Sequence, residues 1–310
     1  MQTANETNRK LLEFIDKSPS CFHAVENLAA LLEGAGCTRL FENQPWRLEA
    51  GKRYFVLRNG SSLLAFSVPQ RFNGMQIVAA HSDSPTFRVK TGAEITVEGR
   101  YKKLNTEGYG GMILSSWFDR PLSLAGRAVV RTDAGVKTVL VNIDRDLLVI
   151  PSLAIHMTRG MADQKLNPQV DLLPLFGDEK ADYTALVAAA AGVAPEDLLA
   201  GDLFLYPRQK GTLRGAGEVH RGAAARRPAV RVFGRCTSFL SAGGERGEAE
   251  RLRRVRQRGG RLPHEAGRGL HVPDRHGLPH PRGARRFGWQ AGTGMRKRLP
   301  ESFMLSADNA

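Results

Sequence analysis

The chain has 310 residues, 45 Lys plus Arg against 31 Asp plus Glu for a formal net charge of +14, 42% hydrophobic residues and three cysteines. This length buries a substantial core as one large domain or two ordinary ones, and the composition excludes collagen-like, mucin-like and disulfide-scaffold proteins. Cys21, Cys37 and Cys236 cannot all pair and fit no CxxC metal pattern, so a reducing, cytoplasmic setting is expected; the N-terminus has no signal design and no apolar run reaches membrane-spanning length.

In chain order, residues 5–17 place Leu11, Leu12, Phe14 and Ile15 on one helical stripe, and residues 21–34 repeat the pattern with Phe22, Val25, Leu28, Leu31 and Leu32. Two amphipathic helices are therefore predicted to open the chain. YFVLRNG (54–60), SLLAFSV (62–68) and MQIVAAHSDSP (75–85) read as strands, with Asn59-Gly60 as a hairpin turn between the first two. From about residue 88 to 158 the runs TFRVKTG, AEITVEGRY, AGRAVVRTD, KTVLVNI and DLLVIPS are punctuated by Gly, Pro and Asp, predicting a β-rich domain inserted into the first fold. Residues 180–193 return to helix, and DLFLYPRQ (202–209) reads as a strand.

The charge is unevenly placed. Residues 1–210 carry 24 basic and 23 acidic side chains, whereas residues 211–300 carry 21 and 6. Of those 21 basic residues 20 are Arg, in a stretch with no Ile and no Tyr. Such a shift points to a basic tail that binds nucleic acid or an acidic partner, although no aromatic interleaving accompanies the arginines.

The sharpest local feature is IVAAHSDSP, where an apolar run ends in His81, with Asp83 two residues later and Pro85 stopping the strand. A His at the exit of a buried strand can bind metal while a nearby carboxylate orients its ring. It can equally be a strand-end His satisfied by Asp83, and the spacing alone leaves both open.

HSDSPTFRVK, YGGMILSSWFDRPLSLAGRAVV (109–130), DRDLLVIPSLAIHM (144–157) and SFMLSADNA (302–310) together resemble, in order, the aspartyl aminopeptidase family of dinuclear zinc exopeptidases. The resemblance runs from residue 1 to about 213 and resumes at about 289–310. It implies that His81 is a zinc ligand, that Asp83 is the catalytic-site carboxylate orienting it, that Asp308 holds a metal, and that His156 binds substrate in a neighbouring subunit's active site. It also implies two zinc ions sharing a water that attacks the first peptide bond, a Glu as general base, peptide substrates with acidic N-terminal residues, and a homo-oligomer.

The family's bridging Asp, in an RLD segment, and its Glu pair, in a DNEEVGS segment, are absent as written. In their places stand EVHRGAAARRPAVRV (218–232) and RVRQRGGRLPHEAGRGLHVP (254–273). Shifting the reading by one base fixes two bases of each new codon. From Val219 the shifted frame then allows Phe-Ile-Ala-x-Pro-Arg-Leu-Asp-Asp, with Leu-Asp-Asp at Ala225, Arg226 and Arg227. From Arg254 it allows Val-Phe-Asp-Asn-Glu-Glu-Val-Gly-Ser, with the Glu pair at Arg258 and Gly259. The expectation is two out-of-frame stretches, about Val219–Val232 and from near Glu245 to Arg286, with the family's last portion cut short beyond Ala310. GC-rich codons shifted by one base often spell Arg and Gly, which accounts for the local charge.

The resulting expectation is an α/β zinc-peptidase core, a mixed sheet with helices on both faces, holding an inserted β-rich domain. Residues 1–88 form the first part of the core, 89–205 the oligomerising insert, and 206–310 the second part, out of frame over much of 219–286 and incomplete. Residues 219–286 lack the alternation of strands. Cations in place of carboxylates repel zinc, so little turnover is expected of a metalloaminopeptidase built this way. The alternatives are a non-enzymatic basic protein binding nucleic acid through residues 211–300, with incidental low-salt binding expected in any case, and a catalytically dead scaffold. No membrane association is expected.

Overall fold

The computed structural model describes residues 2–72, 74–154, 156–157, 166–214, 219–221, 236–237, 240 and 303–306. Its elements are α1 (Gln2–Asp16), α2 (Cys21–Gly34), β1 (Thr38–Leu40), β2 (Arg53–Arg58), β3 (Ser62–Ser67), β4 (Gln76–Ala79), β5 (Thr86–Val97), β6 (Tyr101–Tyr109), β7 (Leu122–Thr132), β8 (Gly135–Asn142), β9 (Leu175–Asp178), α3 (Tyr183–Ala191), β10 (Leu198–Pro207), β11 (Thr212–Arg214), β12 (Val219–Arg221) and β13 (Phe303–Ser306).

The two predicted opening helices form. Phe14 and Ile15 of α1 pack with Leu28 of α2, and α2 also buries Phe22, Ala24, Val25, Ala29 and Leu32. Ser20 caps α2, its hydroxyl accepting from the His23 amide. Past the helix end, Gly36 takes the left-handed φ of +77°, and Cys37 packs with Ala29, Leu32 and Phe55.

β1 runs parallel to β2, and β2 pairs antiparallel with β3 across the predicted Asn59-Gly60 turn. Arg58 stands opposite Ser62, so Asn59, Gly60 and Ser61 form the loop, and Asn59 and Gly60 take positive φ of 53° and 64°, which suits these two residue types.

Residues 86–207 supply a six-stranded antiparallel sheet of order β8-β7-β10-β5-β6-β9. One face and α3 enclose a single core in which Phe87, Leu104, Leu122, Leu124, Leu203 and Leu205 are among the most deeply buried side chains. Gly126 of β7 is required at its crossing with β10. A Cβ there would fall 1.9 Å from the Asp202 carbonyl oxygen.

β11 and β12 form a two-stranded antiparallel sheet, so residues 219–221 are a short strand within a stretch predicted to lack strands. A three-residue pairing is fixed by backbone hydrogen bonds and does not need the side-chain alternation of a buried strand. β13 lies parallel to β4. Mixed parallel and antiparallel sheets with helices give the expected α/β class, and among the described residues no helix is long and apolar enough to cross a membrane.

Candidate active site

β4 brings His81 to its place. Its register on β13 runs from Gln76 opposite Phe303 to Ala79 opposite Ser306, after which residues 80–85 lead without helix to β5. The strand is not buried as its apolar sequence predicts: Ile77 and Val78 are 41% and 45% exposed. Among the described residues β13 is the strand paired with β4; parallel strands ordinarily have both faces covered.

The loop after β4 is tied at several points. Ser82 Oγ donates to the Ser61 carbonyl at 2.8 Å. Pro85 packs on Gly110, whose φ is +79° and whose missing Cβ would lie 3.5 Å from the proline ring. Thr86 Oγ1 donates to the Leu205 carbonyl of β10. These ties hold the chain between the core hairpin and the six-stranded sheet.

Within this loop His81 Nδ1 lies 2.9 Å from Asp83 Oδ1 and 3.0 Å from the Asp83 carbonyl oxygen. An ionised carboxylate only accepts, so the proton belongs on Nδ1 and the ring's lone pair on Nε2, the tautomer a metal-binding imidazole presents. The other Asp83 oxygen, Oδ2, accepts from Tyr109 Oη at 2.7 Å. Burial raises the Asp83 carboxyl, but hydrogen bonds from Tyr109 and His81 more than offset it and hold the group below its ordinary value. The same hydrogen bond, with burial and the carboxylate's charge, pushes the Tyr109 phenol up to about 12.

Ser20, Cys21, Asp83, Tyr109, Trp117 and Phe204 are among the residues lining a cleft of about 40 Å³. Cys21 does not supply a nucleophile here, because burial and then the Asp83 charge push its thiol up to about 11, leaving little thiolate at neutral pH. His23 Nδ1 lies 2.8 Å from Ser20 Oγ, and burial holds its ring neutral, at about 4.

His81 and Asp83, predicted from spacing to act together, are in contact. His156 stands in an exposed turn closed by Met157 N donating to the Ala154 carbonyl at 2.9 Å, and it does not line the cleft. Asp308 lies outside the described residues, as do Ala225, Arg226, Arg227, Arg258 and Gly259. Among the described residues no three His, Cys, Asp or Glu side chains converge on a metal position. Both Asp83 carboxylate oxygens are engaged, one by His81 and one by Tyr109, and a catalytic zinc takes about three protein ligands. The described residues by themselves do not fit a zinc ion.

Tyr109 is the residue that sequence reasoning missed. It stood within the YGG motif, but nothing in the spacing shows that the end of β6 returns to the loop after β4.

Residues 14–246 match the model of the family described as aminopeptidase I zinc metalloprotease (M18). The chain is 45% identical over 227 residues to a probable M18 family aminopeptidase 2 of Clostridium acetobutylicum, covering 69% of this chain and 52% of that protein. A protein of the same description from Ectopseudomonas mendocina is 40% identical over 220 residues, covering 67% and 51%. Among solved structures, a chain of the Ape4 and Nbr1 complex matches with a TM-score of 0.66 and 35% identity, over 70% of this chain and 46% of that one. The mApe1 dodecamer of Saccharomyces cerevisiae matches with a TM-score of 0.59 and 26% identity, over 70% and 51%. The chain thus spans about half the length of the curated relatives it matches.

Proposed function

Because the chain belongs to the M18 family of aminopeptidase I zinc metalloproteases, we propose that it carries the first part of a zinc aminopeptidase acting on peptides with acidic N-terminal residues. We further propose that this polypeptide has little turnover of its own. The observation that carries the reading is the His81–Asp83 pair at the exit of β4, in contact at 2.9 Å inside the family-matched region. In this reading His81 is a zinc ligand, Asp83 its orienting carboxylate, Asp308 a second metal-binding residue and His156 a substrate contact made in a neighbouring copy.

The proposed domain arrangement is core to residue 88, insert over 89–205 and core again from 206, with two displaced frames within 219–286. In support, the family match ends at residue 246, beside the point near Glu245 where the second displacement is placed. A homo-oligomer is proposed for the insert, since Leu153 and Met157, which flank His156, are 61% and 64% exposed. The three unpaired cysteines suit a reducing cytoplasm.

The deciding experiment measures zinc content by atomic absorption and release of N-terminal Asp from a peptide, using the 310-residue chain. Substoichiometric zinc and turnover near background are expected; stoichiometric zinc with clear turnover overturns the inactivity. Resequencing the gene at the codons for Glu218, Val232, Glu245 and Arg286 tests the displaced frames separately, and unbroken sequence there refutes them.

A further inference from the structure

We infer that Tyr109 is a positioning residue for His81, acting through Asp83, so that the six-stranded sheet of the insert helps set the orientation of a histidine carried by the core. This deepens the reading above and rests on it for the importance of His81.

The phenol is firmly placed. Tyr109 ends β6 and sits opposite Thr86, the first residue of β5, in the antiparallel register. Its ring meets Phe204 of β10 edge-on, with centroids 5.5 Å apart at 68°. The next residue, Gly110, has Pro85 as its neighbour, 3.5 Å from where a Cβ would stand. Backbone pairing, ring packing and the proline contact therefore fix both the phenol and the loop it faces.

The hydroxyl is aimed at one atom, Asp83 Oδ2, at 2.7 Å, while Oδ1 at 2.9 Å shares the His81 Nδ1 proton with the Asp83 carbonyl at 3.0 Å. A carboxylate held at one oxygen can rotate about its Cβ–Cγ bond; held at both, it cannot turn without losing a charge-assisted hydrogen bond. Tyr109 thereby locks the plane of the Asp83 carboxylate, and that plane decides whether Oδ1 faces His81 Nδ1. Burial does not force this pairing. Tyr109 is 40% exposed, and its hydroxyl nonetheless binds the carboxylate.

Loosening the whole loop would also disturb His81, and the test separates the two effects. The full chain labelled with 15N-histidine is examined by NMR at a pH where His81 is neutral, its ring signal assigned by its disappearance in His81→Asn. The expected wild-type state is Nδ1–H. Tyr109→Phe keeps the ring on Phe204 and removes only the hydroxyl, and it should raise the ratio of Nε2–H to Nδ1–H forms by about threefold or more.

Ser82→Ala removes a different tether of the same loop without touching Asp83 and should leave the ratio unchanged. Asp83→Ala should shift it at least as far as Tyr109→Phe. An unmoved ratio in Tyr109→Phe beside a shifted one in Asp83→Ala overturns the role of Tyr109 alone. Equal shifts in Tyr109→Phe and Ser82→Ala also overturn it, since the loop as a whole would then be responsible. An unmoved ratio in Asp83→Ala overturns the orienting role of Asp83 on which this inference rests.

Discussion

Replacing Phe87 by Ala tests whether the six-stranded sheet is a packed core able to hold the site loop. The Phe87 side chain is fully buried, and its ring meets Trp117 edge-on with centroids 5.1 Å apart at 83°. Truncating a buried Phe to Ala costs about 3–5 kcal/mol through lost transfer energy and the cavity left behind. The edge-to-face pair accounts for about 0.5–1.5 kcal/mol of such a loss. With a urea slope of about 2–3 kcal/mol per molar, the unfolding midpoint should fall by about 1–2 M.

Trp117 is the natural reporter, and changing Trp46 and Trp289 to Phe leaves it the only indole of the three. Val136→Ala, on the edge strand β8 at a side chain 70% exposed, is the matched truncation and should change stability by less than about 0.5 kcal/mol. Equal midpoints for the two variants at unchanged slope would refute the claim that this core holds the sheet. A smaller spectral response of the site loop in Phe87→Ala is also expected, because Phe87 adjoins Thr86, the register partner of Tyr109.

Gly126→Ala should be among the most damaging single-atom changes, since its Cβ falls 1.9 Å from the Asp202 carbonyl; strand β10 must move, and soluble yield and melting temperature read the loss. His23 makes the chain acid-sensitive. Burial holds its folded value at about 4, below the ordinary imidazole value, so the unfolded chain binds the extra proton between about 6.5 and 4 and stability falls as pH drops through that window. His23→Gln should flatten that part of a melting-temperature profile. Asp182, whose carboxylate accepts the Ala185 amide at 2.8 Å as the cap of α3, should cost about 1 kcal/mol when changed to Ala, read as a urea midpoint shift. Binding of a generic duplex DNA through residues 211–300 should be weak and vanish between about 50 and 200 mM salt, because it rests on phosphate contacts alone; sequence-specific, salt-tolerant binding would contradict this.

The sequence by itself determined the local elements and the chemistry they carry. The stripes of Phe14, Ile15, Leu28 and Leu32 required helices, Asn59-Gly60 required a tight hairpin, and the succession of apolar runs from 88 to 158 required a β-rich body, because these signals depend on neighbours within a few residues. His81 and Asp83 were legible together for the same reason, being two residues apart on one strand exit.

What the sequence could not decide was distance across the fold. The β10–β5 pairing, Phe204 opposite Arg88, brings Phe204 to Tyr109 from more than a hundred residues away, and the β5–β6 register, Thr86 opposite Tyr109, brings Tyr109 to Asp83. The same holds for the exposure of β4: IVAA reads as a buried strand whatever surrounds it, and only the tertiary structure reveals that Ile77 and Val78 are 41% and 45% exposed. Hydrophobic pattern states what a strand would prefer to bury, and tertiary structure decides whether a neighbour is there to cover it.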